Sequence, residues 1–248
     1  MSFPPGTFYV YVEHNRDQYL VAFTSRSAAD ELWRVIQTTN DMENNTRRHS
    51  SQHWSVSLLP HEIQGSGTGP AGCFVVQRIL ADSLDNIGFP VIPHNHQPDN
   101  ISGNSYFIRS TIRNNLYWFW NQKSNRIELS STHQTKFLIK RKTPLPFGCL
   151  THQDILIGTD AVHLFPVQDD VDESRFRMIT RIGRLGEAKK ILFVETQRAE
   201  SYKNGAFWFR LFDGGFGVQY SSEASGGRVG FVHVATRSDG GERWEFVP

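Results

Sequence analysis

The sequence predicts an all-β protein with one short helix, and three observations carry that prediction. The segment Tyr106 to Arg141 holds four short apolar runs: Tyr106–Ile108, Leu116–Trp120, Ile127–Leu129 and Phe137–Ile139. Clusters of Asn, Ser, Thr, Gln and Arg separate them. Such side chains bond to local backbone and favour turns, so the pattern reads as an antiparallel meander. The last run, Thr135-Lys136-Phe137-Leu138-Ile139, also has copies elsewhere. They are Ser174-Arg175-Phe176-Arg177-Met178, Glu242-Arg243-Trp244-Glu245-Phe246 and, more loosely, Gln52-His53-Trp54-Ser55-Val56. A recurring polar–cation–aromatic–any–apolar strand points to internal repeats. Finally, Asp213-Gly214-Gly215, Gly226-Gly227 and Asp239-Gly240-Gly241 punctuate the C-terminal apolar runs, as hairpin turns require.

Composition bounds the function classes. The chain has 248 residues, enough for one large domain or two of ordinary size. With 38% hydrophobic and 12% aromatic residues it can bury a core without staples. The net charge of +1 comes from interspersed signs, which excludes a dedicated basic nucleic-acid face. The short basic clusters Arg47-Arg48 and Lys140–Lys142 are expected to be solvated turns. Cys73 and Cys149 form no CxxC and are expected as reduced thiols of an intracellular protein, with a disulfide between them as the alternative. The opening MSFPPGTFYVYVEH lacks a cationic start and a long apolar run. No window is apolar enough for a membrane span. A cytoplasmic location is therefore expected.

In chain order, Thr7–Val12 and Tyr19–Phe23 form a hairpin around the polar turn His14–Asp17. Ser25–Gln37 is helical, with Ser27 as cap, Asp30 and Glu31 in the first turn, and Leu32, Val35 and Ile36 as the apolar stripe. Thr38–Gln52 is a polar loop and His53–Leu59 a strand. Gln64–Gly72 is a glycine-rich loop or linker, Cys73–Leu80 a strand, and Asp82–Gly103 a second long loop. Past the meander come Ile155–Ile157, Val162–Leu164, Phe176–Ile179, Ile191–Glu195, Ala206–Phe212, Phe216–Tyr220, Val229–Val234 and Trp244–Val247. This makes about sixteen strands and one helix, strongly β-dominated against ordinary proportions.

From Asn100 to Pro248, with aromatic closing strands at Phe137, Phe176 and Trp244, the chain resembles a ricin-B-like β-trefoil of the fungal lectin type. The opening GTFYVYVEHNRDQYLVAF is similar to the first strands of fungal trefoil proteins. The resemblance implies a β-trefoil-like barrel over 100–248, with three four-stranded repeats. Residues 1–99 are then an additional β-rich N-terminal region with one helix, in which the Trp54 copy would allow a degenerate trefoil unit. The sequence departs from the family in lacking the Gln-x-Trp signature. The family length also requires an insertion around Ile191–Gly205 in the third repeat.

Sugar recognition needs an aromatic face for the ring and Asp, Asn or Gln for its hydroxyls. Asn114, Trp118, Trp120 and Asn121 bring such groups close together, with core packing as the competing reading of the tryptophans. Asp160 with His163, and Trp208 with Asp213 and Tyr220, are the comparable sets later in the chain, with turn and core roles as their rivals. His94 and His96, spaced i and i+2 near Asp99, could hold a metal on a strand. Gly88 before them resembles the first motif of cupin oxygenases, but that family's glutamate is absent, and His152 would have to complete the site. There is no Gly-x-Ser-x-Gly elbow and no phosphate loop.

The expectation is a non-catalytic carbohydrate-binding lectin without a cofactor. Its partners would be glycans or glycoproteins, and a homo-oligomer would raise weak single-site affinity. The resemblance implies a defence role. The alternative is a trefoil protease inhibitor acting through the loops Asp82–Gly103 or Thr143–Thr151. A third option is a cupin-type oxygenase using His94 and His96.

Overall fold

The computed structural model describes residues 7–15, 17–39, 46–57, 74–79, 99–143, 154–167, 176–183, 190–197, 205–222, 228–235 and 240–248. The chain divides into two compact units, Met1–Asp99 with Leu145–Ile157, and Asn100–Pro144 with Gly158–Pro248. The cysteines, His94, His96, His152, the Gln64–Gly72 stretch and most of both proposed inhibitor loops lie outside the described residues.

In the first unit, β1 (Phe8–His14) and β2 (Asp17–Phe23) form the predicted hairpin. Asn15 takes φ 50° at its turn, a conformation that Asn tolerates because its short side chain bonds locally. The helix α1 (Arg26–Thr39) follows. Its cap is Ser25, whose Oγ accepts from the Ala28 N–H at 3.2 Å, and not Ser27. Ser25 lies outside the helix, where its hydroxyl can reach a free N–H of the first turn. Ala29, Leu32, Trp33 and Ile36 form the buried stripe, rotated by about one residue from the predicted one because Trp33 joins it. Strands β3 (Arg47–Ser50), β4 (His53–Ser55) and β5 (Phe74–Ile79) complete a sheet of order β3-β4-β1-β2-β5, in which β1 and β4 run parallel.

Part of the predicted polar loop is therefore strand, and Arg48 is not solvated. Its side chain is 2% exposed; Nη2 donates to Asp30 at 2.6 Å and to Asp99 at 2.7 Å. Its guanidinium lies 5.9 Å from the Trp33 ring and 5.5 Å from Trp54. Burial works against this charge, yet Asp30 and Asp99 hold Arg48 above its ordinary value. Burial also pushes the Asp30 carboxyl up, against the pull of Arg48 and Arg26. Trp54 packs on Trp33 and Phe23, so it is a core residue of this unit. Ile155–Ile157, expected as a strand, is buried here without forming one beyond a single bridge at Ile155. Arg34 Nη2 donates to the Ile155 carbonyl at 2.6 Å.

The second unit is built on the predicted four runs: β6 (Ser105–Ser110), β7 (Tyr117–Asn121), β8 (Arg126–Ser130) and β9 (Lys136–Arg141). They are not a simple meander. β7 pairs with β6 and β8, but β9 turns back onto β6. The reason lies in the side chains: Phe137 and Ile139 of β9 are fully buried alongside Ile108 of β6, so closure of the core decides the pairing. The chain continues as β10 (Ala161–Pro166), β11 (Phe176–Gly183), β12 (Lys190–Gln197), β13 (Phe207–Trp208), β14 (Asp213–Ser222), β15 (Arg228–Val234) and β16 (Glu242–Val247).

The pairings show a threefold plan. Three opening–closing pairs, β6·β9, β10·β13 and β14·β16, stand beside three hairpins, β7·β8, β11·β12 and β14·β15. The second strands of the hairpins, β8, β12 and β15, all pair with one another. The sequential contacts β6, β7, β8, β15, β14, β16 and back to β6 close a six-stranded barrel. This is the expected β-trefoil-like barrel with an additional β-rich region.

Two repeat assignments change. Phe176 opens a hairpin strand, β11, and the closing strand of the middle repeat is β13, with Phe207 buried. The residues 191–197 expected in an insertion are the body of β12. The expected strand Ala206–Phe212 shrinks to β13 plus a 3-10 turn at Phe209–Phe212. The glycines 214 and 215 sit in a bulge of β14 against β16, not in a hairpin turn. A Cβ on Gly241 would lie 2.0 Å from the Gly214 carbonyl oxygen, so the two backbones cross where only glycine fits.

Trp118 centres the core. Its ring lies 5.2 Å from Phe216, 5.5 Å from Trp244, 5.7 Å from Phe212 and 6.1 Å from Phe137, mostly edge to face. Trp244 Nε1 donates to the Phe216 carbonyl at 3.1 Å. Replacing Trp118 by Ala is expected to lower unfolding stability by about 3–5 kcal/mol, with Trp118→Phe costing less, both read by denaturant titration. Arg48→Ala takes from two enclosed carboxylates the more buried of their two cations, leaving only Arg26, and should cost about 3–5 kcal/mol. A change below one kilocalorie, about the value of a surface pair, would show that Arg48 is not the buried clamp.

Candidate functional site

The predicted site residues separate into core, turn and surface. Trp118 is 0% exposed and Trp120 only 4%, and both project to the barrel interior from β7. Neither has a face for a sugar ring. Trp120 instead carries the Arg177 guanidinium 5.1 Å from its centroid. Asn121 orders the β7–β8 turn: its Oδ1 accepts from the Lys123 N–H, and its Nδ2 donates to Glu128 at 3.0 Å. Asp160 and His163 are buried at 9% and 5% exposure. Asp160 Oδ1 lies 3.8 Å from Arg141 Nη1, another cation expected in solvent that is enclosed.

Four of the named residues do reach the surface. Asn114 and Asp213 are exposed, and Trp208 and Tyr220 are about half exposed. Three of these, Asn114, Asp213 and Tyr220, belong to one rim of the second unit. The loop after β6 carries Arg113, whose Nη1 donates to the Tyr220 hydroxyl and whose Nη2 pairs with Glu242. The Arg113 guanidinium carbon is 5.6 Å from the Tyr220 ring centroid. Ser110 Oγ donates to Glu242 at 3.3 Å and accepts from the Arg113 N–H at 3.1 Å. Next along β16, Arg243 pairs with Asp213 at 2.6 Å, and its carbonyl accepts from the Thr111 N–H at 3.1 Å.

The local sequence explains why this rim holds its shape. The loop 111–116 spans β6 to β7 and is tied at both sides, by Thr111 to β16 and by the Leu116 N–H to Arg113. The bulge of β14 brings Asp213 opposite Arg243. Arg113, Glu242 and Arg243 were not singled out from sequence. The hint available there was the Glu242-Arg243 pair at the head of a closing strand, which reads equally well as a solvated edge.

Two further groupings lie outside this rim. Arg109 lies between Tyr117, 6.0 Å from its ring, and Glu245 at 2.7 Å. The hydrogen bond from Arg109 to Glu245, then that to Tyr117, hold its guanidinium above the ordinary range. Trp208 lies apart on β13, with Arg210 5.7 Å from its ring. Asp99, the proposed third metal ligand near His94 and His96, is engaged by Arg26 and Arg48. Among the described residues, one other set of metal-ligating groups converges: Glu13, His49 and His53, in the first unit. No helix among the described residues is long and apolar enough to cross a membrane.

No family model matches the sequence, and no curated protein matches it. Among solved structures, a chain described as a tryptophan-to-alanine mutant of HCR/D is similar to this one, with 12% identity and a TM-score of 0.41. The match covers 60% of this chain and 43% of that chain, so this protein spans less than half of its length.

His163 supplies a pH-dependent outcome. Burial, and then Lys142, hold its imidazole below the ordinary value of 6.5. The unfolded chain therefore takes up the proton first as pH falls. The stability contributed by neutral His163 is complete above about pH 6.5 and is lost as pH drops toward the folded value. The melting temperature is expected to fall through that window, and His163→Gln to flatten the acid limb. An acid limb of the same slope in the variant would assign the titration to another group.

Proposed function

We propose that the protein is a non-catalytic carbohydrate-binding protein, and that its sugar site is the rim formed by Tyr220, Arg113, Asn114, Glu242 and Asp213. The observation that carries this reading is Tyr220. It keeps 47% of its surface exposed while Arg113 holds its hydroxyl and lies over the ring. A ring fixed in this way offers an apolar face at little entropic cost. Around it stand guanidinium donors and carboxylate acceptors, the groups that pair with sugar hydroxyls. Their mutual ion pairs keep the rim ordered before a ligand arrives. The arrangement is shallow, so single-site affinity is weak and multivalent display strengthens it. Trp208 with Arg210 is a second aromatic–cation surface of the same chemical kind.

The test is a glycan array probed with the labelled full chain, followed by titration of the best ligand. Tyr220→Ala and Arg113→Ala should each weaken binding about tenfold, equivalent to about 1.4 kcal/mol, with far-UV circular dichroism unchanged. A blank array with folded protein overturns the carbohydrate reading, and assays against papain-like and trypsin-like proteases then follow. Binding retained in both variants but lost in Trp208→Ala moves the site to β13.

A further inference from the structure

The outer face of the first unit's sheet gathers three metal-ligating side chains from three strands. β1 and β4 are parallel, with Tyr11 opposite His53 and Glu13 opposite Ser55. Val10, Val12 and Trp54, which alternate with these residues, are fully buried. Glu13, His53 and Ser55 therefore project together from the other face. His49 arrives by an irregularity. The β3–β4 register shifts between Arg48 and Ser50, so His49 is an extra residue in the ladder. A bulge of this kind re-aims a side chain. Arg48 stays inward on Asp30 and Asp99, and His49 turns out beside His53, with ring centroids 4.6 Å apart and a 33° tilt.

We propose that Glu13, His49 and His53 form a site for a borderline divalent transition ion of the zinc class. One ligand atom from each lies within 4.8 Å of the other two. Tetrahedral zinc with bonds near 2.0–2.1 Å sets its ligand atoms about 3.4 Å apart, so a side-chain adjustment on the order of 1 Å closes the site. Two imidazoles and one carboxylate are the donor set that such ions select, whereas magnesium and calcium take oxygen alone.

Two details suit the role. His53 Nε2 is closed off from solvent and makes no hydrogen bond, facing the Glu13 carboxylate at 3.3 Å. Ser55 Oγ contacts His49 Nε2 at 2.8 Å and donates to Glu13 at 3.2 Å, which places it as the outer group that orients both ligands. With three protein ligands, the ion keeps coordination positions open to water. It also clamps β1, β3 and β4 to one another.

The experiment uses the full chain at neutral pH. Zinc is titrated calorimetrically, cobalt is followed by visible absorption, and the melting temperature is read with and without zinc. Wild type is expected to bind one equivalent saturably, to show the intense visible bands of low-coordinate cobalt, and to melt higher with zinc. His49→Ala and His53→Ala should each weaken zinc binding by at least about tenfold and abolish the thermal gain, while circular dichroism is unchanged. Two results overturn the proposal. One is no saturable binding by the folded wild type. The other is undiminished binding in both variants, with loss instead in a His94→Ala, His96→Ala double variant. Neither result bears on the carbohydrate rim, which lies in the other unit.

Discussion

Closure of the barrel around Trp118 is the constraint on which the second unit depends. The indole touches aromatics from β9, β14, β16 and the 3-10 turn before β14, so one ring ties the first repeat to the last. Edge-to-face packing makes these contacts directional as well as apolar. Once Trp118, Phe216 and Trp244 are packed edge to face inside, the residues that alternate with them on β16 and β14 are set on the outside or the rim. The position of Arg243 opposite Asp213 follows from this. A binding surface on a closed barrel is rigid because its strands leave no free edge to slide.

The first unit uses charge where the second uses aromatics. Arg48 is held between two tryptophan rings and two carboxylates, with almost none of its side chain in solvent. Such a cluster adds little net stability over an apolar core, yet losing one partner is costly. Its value is in placement. Because Arg48 must face inward, the next residue must face outward or the ladder must shift. The bulge after Arg48 does both, and brings His49 to His53. A buried ion cluster on one face of the sheet thereby shapes a donor set on the other.

The rim and the donor set share a physical logic: each is assembled from short-range pairs that order side chains before any ligand binds. At the rim, Arg113 spans Tyr220 and Glu242. On the sheet, Ser55 spans His49 and Glu13. Exposed ion pairs contribute little to stability, and Arg243 with Asp213 is of that kind. Pre-ordering lowers the entropic cost of binding, which is where such pairs act.

The sequence by itself determined the β-dominated class, the helix α1, the first hairpin and the four runs from Tyr106 to Arg141. These depend on period-two alternation and turn chemistry, which are local. It also marked Phe137 and Trp244 as equivalent closing aromatics, since both occupy the same step of a repeated pattern. Only the tertiary structure decided that β9 returns to β6 and that Phe207, not Phe176, closes the middle repeat. It also decided that Trp118 and Trp120 are interior while Tyr220 is half exposed. On β7 aromatics lie on both faces, so alternation cannot say which face meets the core. Arg48 shows the same limit. A pair of arginines in a polar stretch reads as solvated until the fold brings Asp30 and Asp99, 18 and 51 residues away, within hydrogen-bonding distance. Exposure and pairing are set by chain segments distant in sequence, and no local pattern encodes them.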